Sequence, residues 1–169
     1  TMDNTFGGMG YMVTNFFGGD ESITGLALQA DQKIVACGNI FNGTKDFAVA
    51  RYTTAGLLDI TFDGDGKVTT DFAGSNEVCH GIALQPDGKI VLTGATYVGA
   101  NSDFGLIRYN TDGSLDIGFD GDGKVITDIA NDHDSGIDLV VKDGTKLVVV
   151  GNSVVAVDKT SFAILQYNL

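Results

Sequence analysis

Aspartates in short glycine-rich turns are the residues of this sequence whose spacing best suits metal chemistry. The turns are DGDGK at 63–67 and 120–124 and NTDGSLD at 110–116. Calcium takes about 6–8 oxygen ligands, and aspartates at alternate positions of a turn can supply several of them. The candidate metal ligands are Asp63, Asp65, Asp112, Asp116, Asp120 and Asp122.

Asp and Gly are also ordinary turn-forming residues, which gives these turns a purely structural interpretation. The sequence has GGMG at 7–10 and TTAG at 53–56 where the related turns have DGDG and NTDG. The chain contains three similar stretches of sequence, described below, and an obligatory metal site would not be missing from one of them. We therefore expect that no cofactor is needed, and that calcium could bind but is not required for folding.

Aromatic and amide side chains in variable loops are the candidates for ligand binding. The loops at 41–45 and 97–102 are predicted to join strands, and a rigid repeat scaffold commonly displays binding residues on such loops. An aromatic ring beside an amide suits a sugar, although the residue types favour ordinary packing of Phe41 and Tyr97. The candidates are Phe41, Asn42, Tyr97, Asn101 and Tyr11, the last standing where later copies have lysine.

The sequence offers little for nucleophilic catalysis. His80 and His133 are the only histidines, and no serine lies in a G-x-S-x-G sequence. The 22 acidic residues guarantee some close carboxylates, so a carboxylate-dependent polysaccharide hydrolase or lyase is an alternative function. Cys37 and Cys79 fall in different strands of different copies, and two buried free thiols are expected rather than a disulfide.

The net charge of the chain excludes some partners. It is −12, from 22 acidic and 10 basic residues. Such a field repels nucleic-acid phosphates and anionic lipids. No apolar run approaches the roughly 20 residues of a membrane-spanning helix. We expect no nucleic-acid partner and no membrane insertion.

Three tandem copies of one repeat organise the sequence. LDITF at 58–62 recurs as LDIGF at 115–119 and, more loosely, as MDNTF at 2–6. LALQADQKIVACG at 26–38 likewise matches IALQPDGKIVLTG at 82–94. Self-similarity across every segment indicates a repeat architecture. The predicted copies are about 2–57, 58–114 and 115–169, within a single domain of 1–169.

Each copy predicts four β-strands and no helix. One strand follows the DGDG turn, two form a hairpin around PDGK at 86–89, and the last is aromatic-ended, as in DFGLIRY at 103–109. The sequence KIVLTG at 89–94 is apolar on both sides, so this strand is predicted to be buried on both faces. The predicted fold class is all-β, with three four-stranded antiparallel repeats.

The motifs LD-x-x-F-x-G-x-GKV, ALQPDGKI and DF-x-L-x-RY-N-x-DGSLD resemble the delta-60 repeat of bacterial proteins. The resemblance covers residues 2–168 and is strongest in the second copy. It implies β-propeller-like blades in secreted or cell-surface proteins. It brings no catalytic residues with it.

Three blades leave the question of closure open, because propellers usually have about 4–8 blades. The chain could be part of a longer array, or copies could associate into a ring. The alternative is a closed threefold fold of the β-trefoil or β-prism type. Self-association is expected in the propeller case, because each terminal sheet would expose an apolar face.

Arginine and aspartate vary together along the repeats. Arg51 is followed by Asp59 and Arg108 by Asp116, whereas Gln166 has no later acidic partner. A buried ion of either sign needs its partner. We infer two ion pairs near the repeat junctions, the alternative being that each arginine is a solvated strand residue. We expect the third copy to be a terminal, capping repeat.

The function expected from these features is non-enzymatic. We expect a binding or adhesion module of a secreted or surface-exposed bacterial protein that recognises glycan or protein. The alternatives are the carboxylate-dependent hydrolase or lyase and a purely structural assembly domain.

Overall fold

The computed structural model describes residues 1–72, 74, 76–156 and 159–169, which form eleven β-strands and no helix. No helix among them could span a membrane. The strands are β1 (Glu21–Leu28), β2 (Ile34–Phe41), β3 (Lys45–Tyr52), β4 (Lys67–Thr70), β5 (Glu77–Leu84), β6 (Ile90–Val98), β7 (Asn101–Tyr109), β8 (Lys124–Thr127), β9 (Asp134–Lys142), β10 (Lys146–Ala156) and β11 (Lys159–Asn168).

The strands form three antiparallel up-and-down sheets. Sheet A has the order β1-β2-β3-β4, sheet B the order β5-β6-β7-β8, and sheet C the order β9-β10-β11. Strand β5 packs against both β1 and β9, so sheet B lies between the other two. The predicted all-β fold with blade-like antiparallel units is confirmed. The row of sheets is open, and the alternative of a closed threefold fold is wrong, because sheet B lies between the other two and the outer faces of sheets A and C are exposed at Leu26 and Phe162.

The sheets do not coincide with the sequence copies. The strand after each DGDG turn pairs with the last strand of the preceding copy, β4 with β3 and β8 with β7. Sheet C lacks such a fourth strand beside β11 in the described part of the chain. Residues 11–16, the first-copy equivalent of β4, form no strand. The prediction of four strands per copy is confirmed for the second and third copies and is wrong for the first, where residues 11–16 have no neighbouring strand in the described chain with which to pair.

The core has two apolar layers, one on each face of sheet B. The layer shared with sheet A contains Val35, Cys37, Phe47, Val49, Phe62, Cys79, Ile90, Leu92, Ile107 and Tyr109. The layer shared with sheet C contains Val91, Phe104, Leu106, Phe119, Leu139, Leu147 and Val149. Strand β6 contributes to both layers, as its continuous apolar sequence predicted. Both cysteines are buried free thiols, which confirms that prediction.

Buried ion pairs close the turn beside each of the first two sheets, as inferred from the sequence. Arg51 Nε lies 2.8 Å from Asp59 Oδ2, and Arg108 Nε lies 2.6 Å from Asp116 Oδ2. Each guanidinium also lies over a phenylalanine ring of its turn. The pair thus fastens the aromatic-ended strand to the start of the next copy.

Candidate functional site

Two clusters of three carboxylates occupy equivalent places in the repeat. The first carboxylate cluster consists of Asp46, Asp71 and Glu77, and the second carboxylate cluster consists of Asp103, Asp128 and Asp134. In each cluster, one carboxylate oxygen from every acid lies within 4.8 Å of an oxygen from each of the other two acids.

Strand pairing and the sheet-to-sheet connection build each cluster. Phe47 of β3 faces Thr70 of β4, so Asp46 and Asp71 come next on two facing chain segments. Glu77 is the first residue of β5 and therefore belongs to sheet B. The same register between β7 and β8 builds the second cluster. Like charges on directly opposite residues are unfavourable, and here the neighbouring sheet adds a third.

The third acid of each cluster is almost completely buried. Glu77 is 0% exposed and Asp134 is 1% exposed. The amide of Ile129 donates to Asp134 Oδ2 at 2.6 Å, but Oδ1 has no partner among the described residues. Neither carboxylate oxygen of Glu77 has a hydrogen bond of normal geometry in the described chain. A buried carboxylate without a partner is costly, so each cluster needs a proton or a cation to compensate its charge.

The electrostatics of the first cluster favour an added proton. Burial, followed by the charges of Asp71 and Asp46, raises the pKa of Glu77 to about 7. The Phe72 amide opposes the rise without reaching either oxygen in hydrogen-bond geometry. Lys124 also opposes it, and its Nζ donates to the Asp71 carbonyl oxygen at 2.7 Å.

The second cluster has the same tendency. Burial, and after it the charges of Asp128 and Asp134, raises the pKa of Asp103. The ion pairs of the described chain all involve turn aspartates, and none involves a carboxylate of either cluster. Both clusters therefore concentrate negative charge without a matching side-chain cation.

The pH dependence of stability should reveal Glu77. Its pKa is near 4.5 when unfolded and about 7 when folded, so the folded state binds the extra proton between these values. The resulting stabilisation is complete below about pH 4.5 and is lost as the pH rises through about 7. In chelator-treated buffer, we expect the free energy of unfolding to fall by up to about 3 kcal/mol between pH 5 and 8.

Glu77→Gln supplies the control for this profile, because glutamine has a similar shape and no charge at any pH. Urea unfolding of both proteins across the pH range measures the difference between them. The difference isolates Glu77 from other titrating groups. Profiles that run parallel from pH 5 to 8 would show that the pKa of Glu77 is not raised.

The turn aspartates predicted as calcium ligands lie outside both clusters. Asp65 and Asp122 accept hydrogen bonds from the amides two residues later, and Asp112 does the same with Ser114. Asp116 is held by Arg108. The carboxylates thus organise turn backbone.

The other two predicted ligands mark left-handed backbone positions. Asp63 and Asp120 have φ of 50° and 53°. The amide of Asp63 donates to the carbonyl oxygen of Asp112 at 2.7 Å, which brings two predicted ligands together. Burial and the charges of Asp65 and Asp112 raise the pKa of Asp63. Calcium binding at these turns stays a prediction.

The loop residues predicted to bind a ligand lie on separate hairpins. Phe41 and Asn42 lie at the β2–β3 turn, and Phe41 is half exposed. Tyr97 and Asn101 lie at the β6–β7 hairpin, where the Tyr97 ring is 6.5 Å from that of His133. The equivalent hairpin of the third copy includes residues 157 and 158, which lie outside the described residues.

The remaining predicted ligand residue lies apart from these hairpins. Tyr11 is the first residue of the segment equivalent to β4, and its hydroxyl lies 3.9 Å from Met9 Sδ. Asn101 Nδ2 already donates to the Asn131 carbonyl oxygen at 3.0 Å. The five residues therefore belong to three separate chain segments, and their role in binding stays a prediction.

Sequence reasoning missed the carboxylate clusters, although the repeats contain a signal for them. The acids of the second cluster follow those of the first by 57 residues at every position. The third equivalent place, at the open ends, would combine Asn15, Glu21 and Ser161. Both aspartates are therefore absent together. This joint variation could have marked the two aspartate positions as a pair.

An apolar cleft of about 420 Å³ lies between residues 12–16 and the outer face of sheet A. Its lining includes Met12, Val13, Ile23 and Tyr52. A hydrogen bond between a threonine hydroxyl and a tyrosine hydroxyl spans the cleft, and an equivalent bond occurs at both internal sheet junctions. These pairs are Thr14–Tyr52 at 2.6 Å, Thr70–Tyr109 at 2.6 Å and Thr127–Tyr167 at 2.8 Å. Residues 11–16 thus occupy the place of an outer strand whose own sheet is absent.

Side chains that are buried inside the row are exposed on its two outer faces. Phe162 of β11 is 96% exposed, whereas its repeat equivalents Phe47 and Phe104 are 0% exposed. On the opposite face, Leu26 of β1 is 71% exposed, whereas the equivalent Leu139 is 4% exposed. Each outer face therefore presents the residues of an internal sheet junction without the opposing sheet.

A family model described as a β-propeller domain of unknown function, DUF5122, matches residues 29–62 and 85–119. Each matched stretch begins at the first hairpin turn and ends at the LD-x-x-F motif of the next copy. The match supports a propeller repeat and agrees with the three stacked sheets. No curated protein matches the chain.

Proposed function

We propose that this chain is a non-enzymatic binding module of a secreted or surface-exposed bacterial protein, built from blades of the delta-60 type. The observation that carries the proposal is the exposure of Phe162 and Leu26 on two outer faces whose internal equivalents are buried. Contiguous apolar faces of this kind mark interaction surfaces. Glycan or protein recognition at the β2–β3 and β6–β7 hairpins is part of the same proposal.

The first partner of these faces is a second copy of the chain. Strand β11 lacks an outer strand, whereas residues 11–16 hold the position of an outer strand without a sheet to join. If the outer face of sheet A in one molecule packs on the outer face of sheet C in another, β11 gains an outer strand and residues 11–16 gain a sheet to join. Residues 11–16 would then pair with β11, as β4 pairs with β3.

Two copies related by a twofold axis make this contact twice and form six blades. Six lies within the usual range of propellers, and a closed assembly is the common form of homo-oligomers. The net charge of −12 opposes association, but salt screens exposed charges beyond about 8–10 Å. The proposed contact between sheet A of one molecule and sheet C of the other, here called the seam, is also less acidic than the internal junctions. Asn15 and Ser161 replace aspartates there.

Light scattering at physiological salt tests this partner. We expect a mass of about twice the 17.7 kDa of one chain. Phe162→Glu should give the single-chain mass, because it puts a charge into the apolar seam. Ile117→Glu is the matched control, since Ile117 is 74% exposed but lies in a turn outside the seam.

A wild-type mass near 17.7 kDa at about 100 μM, or a Phe162→Glu protein that still pairs, would reject the second copy as the partner. In that case, binding of a longer repeat array to the same faces is the alternative for the outer surfaces. A glycan array and pull-down with surface extracts address the hairpins. Turnover of a polysaccharide with no bound ligand would favour the hydrolase or lyase instead.

A further inference from the structure

We propose that the first and second carboxylate clusters are calcium sites, one at each internal junction between blades. In the first, Asp46 and Asp71 belong to the β3–β4 end of sheet A, and Glu77 begins sheet B. A bound ion would therefore join neighbouring sheets. These sites are distinct from the aspartate-rich turns, which lie outside both clusters.

The donor set and its spacing suit calcium. Each cluster offers carboxylate oxygens only, which favours a hard cation such as Ca²⁺ or Mg²⁺ over Zn²⁺. One oxygen from each acid lies within 4.8 Å of the others. Oxygens within this bound can share one Ca²⁺, whose geometry is flexible, whereas Mg²⁺ demands near-ideal octahedral geometry and gives up its waters reluctantly. The clusters can hold Ca²⁺ with little rearrangement, and water would complete its coordination.

The buried third acid is an independent indication of a ligand. Glu77 is 0% exposed, and both of its oxygens are without a hydrogen-bond partner in the described chain. Asp134 is 1% exposed and has one such oxygen. Buried charges in proteins are paired or coordinate metals. These oxygens face two other carboxylates, so a cation is the partner that satisfies all three acids together.

A comparison within the chain shows that the two aspartates are replaced together, whereas an acid is kept at the position of Glu77. At the open end of sheet A, the equivalents of Asp71 and Glu77 are Asn15 and Glu21. Glu21 is exposed, and its Oε1 accepts the Phe16 amide at 2.6 Å. The buried acid without a full set of partners therefore occurs where both aspartates accompany it. That pattern is expected of a shared ligand and is not needed for strand pairing.

Isothermal titration with CaCl₂ tests the sites in the full chain after removal of metal by EDTA. We expect two calcium ions per chain at pH 7.5 and weaker binding of MgCl₂. Calcium should also raise the melting temperature by several degrees, because it binds the folded state. Glu77→Gln and Asp134→Asn should each reduce the stoichiometry to one, and the double variant should bind none.

Two further pairs of variants guard against misfolding and misassignment. Asp71→Asn and Asp128→Asn remove the exposed acid of each cluster and should also eliminate one site each. Asp65→Asn and Asp122→Asn alter exposed turns outside the clusters and should retain both sites. Circular dichroism establishes that each variant is folded.

Three results would overturn the proposal. These are no saturable binding up to about 10 mM CaCl₂, loss of binding only in the turn variants, or equal stabilisation by any salt of the same ionic strength. The sites lie within one chain, so Phe162→Glu should still bind two ions. Calcium binding and the proposed pairing of copies can therefore fail independently.

Discussion

Replacing Arg51 with glutamine should lower the free energy of unfolding by about 3–5 kcal/mol, because it removes the buried cation of Asp59 and leaves only the partly exposed Lys33 beside that carboxylate. Burial alone would raise the pKa of Asp59, but the hydrogen bonds from Thr61 and Lys33 and the charge of Arg51 hold it well below its usual range. Arg51 also donates to the Thr111 carbonyl oxygen at 2.5 Å. The substitution therefore breaks a network that joins sheet A to the turn after sheet B.

Chemical denaturation of four proteins separates the ion pair from the shape of the side chain. Glutamine is the matched substitution, since the chain itself has Gln166 at the equivalent position of the third copy. Asp59→Asn should also destabilise, because it leaves Arg51 buried and unpaired. The double variant Arg51→Gln/Asp59→Asn should be more stable than the sum of the single effects predicts. A loss below about 1 kcal/mol in Arg51→Gln would mean that the pair behaves as an exposed ion pair.

Gly94→Ala should cost at least about 3 kcal/mol, because the added methyl group has no room. A β-bulge at His80 brings the Val78 carbonyl oxygen into the place that a Cβ on residue 94 would occupy. The same Cβ would lie 2.9 Å from Phe47 Cζ, in the layer between sheets A and B. The Val78 backbone on one side and the buried Phe47 ring on the other cannot move away without loss of stability.

Gly105→Ala is the matched control, because Gly105 faces Gly94 on the next strand. A Cβ on residue 105 would meet its nearest atoms, in Phe72 and Thr96, at an ordinary 3.4 Å. We expect this variant to lose less than about 1 kcal/mol of unfolding free energy, or to gain stability through its less flexible unfolded chain. Thermal and urea unfolding measure both variants. Equal losses in the two would show that the bulge does not confine residue 94.

Local sequence patterns were sufficient to predict the fold class and several contacts. Alternating and continuous apolar runs determine strands and their burial, so β6 was expected to be covered on both faces. The Arg51–Asp59 and Arg108–Asp116 pairs were inferred because each partner is eight residues from the other in both copies. Such pairs bridge one strand and its following turn, and local spacing describes them well.

Contacts between distant segments could not be predicted in the same way. The repeat shows that a strand follows each DGDG turn, but not that this strand pairs with the preceding copy. That choice depends on the β3–β4 register, which joins residues 47–50 to 67–70. The sequence also gave no reason to expect Gly94 opposite a bulge, because a bulge is a property of two paired strands.

The sequence by itself determined three tandem copies of an all-β repeat, together with their turns and short-range ion pairs, because these follow from side-chain periodicity and close spacing. Only the tertiary structure showed which acids are buried together. Asp46 and Asp71 are 25 residues apart and look like ordinary surface acids, yet strand pairing places them beside Glu77. Burial and proximity set the pKa and the ion-binding capacity of a carboxylate, and both arise only when separate sheets meet.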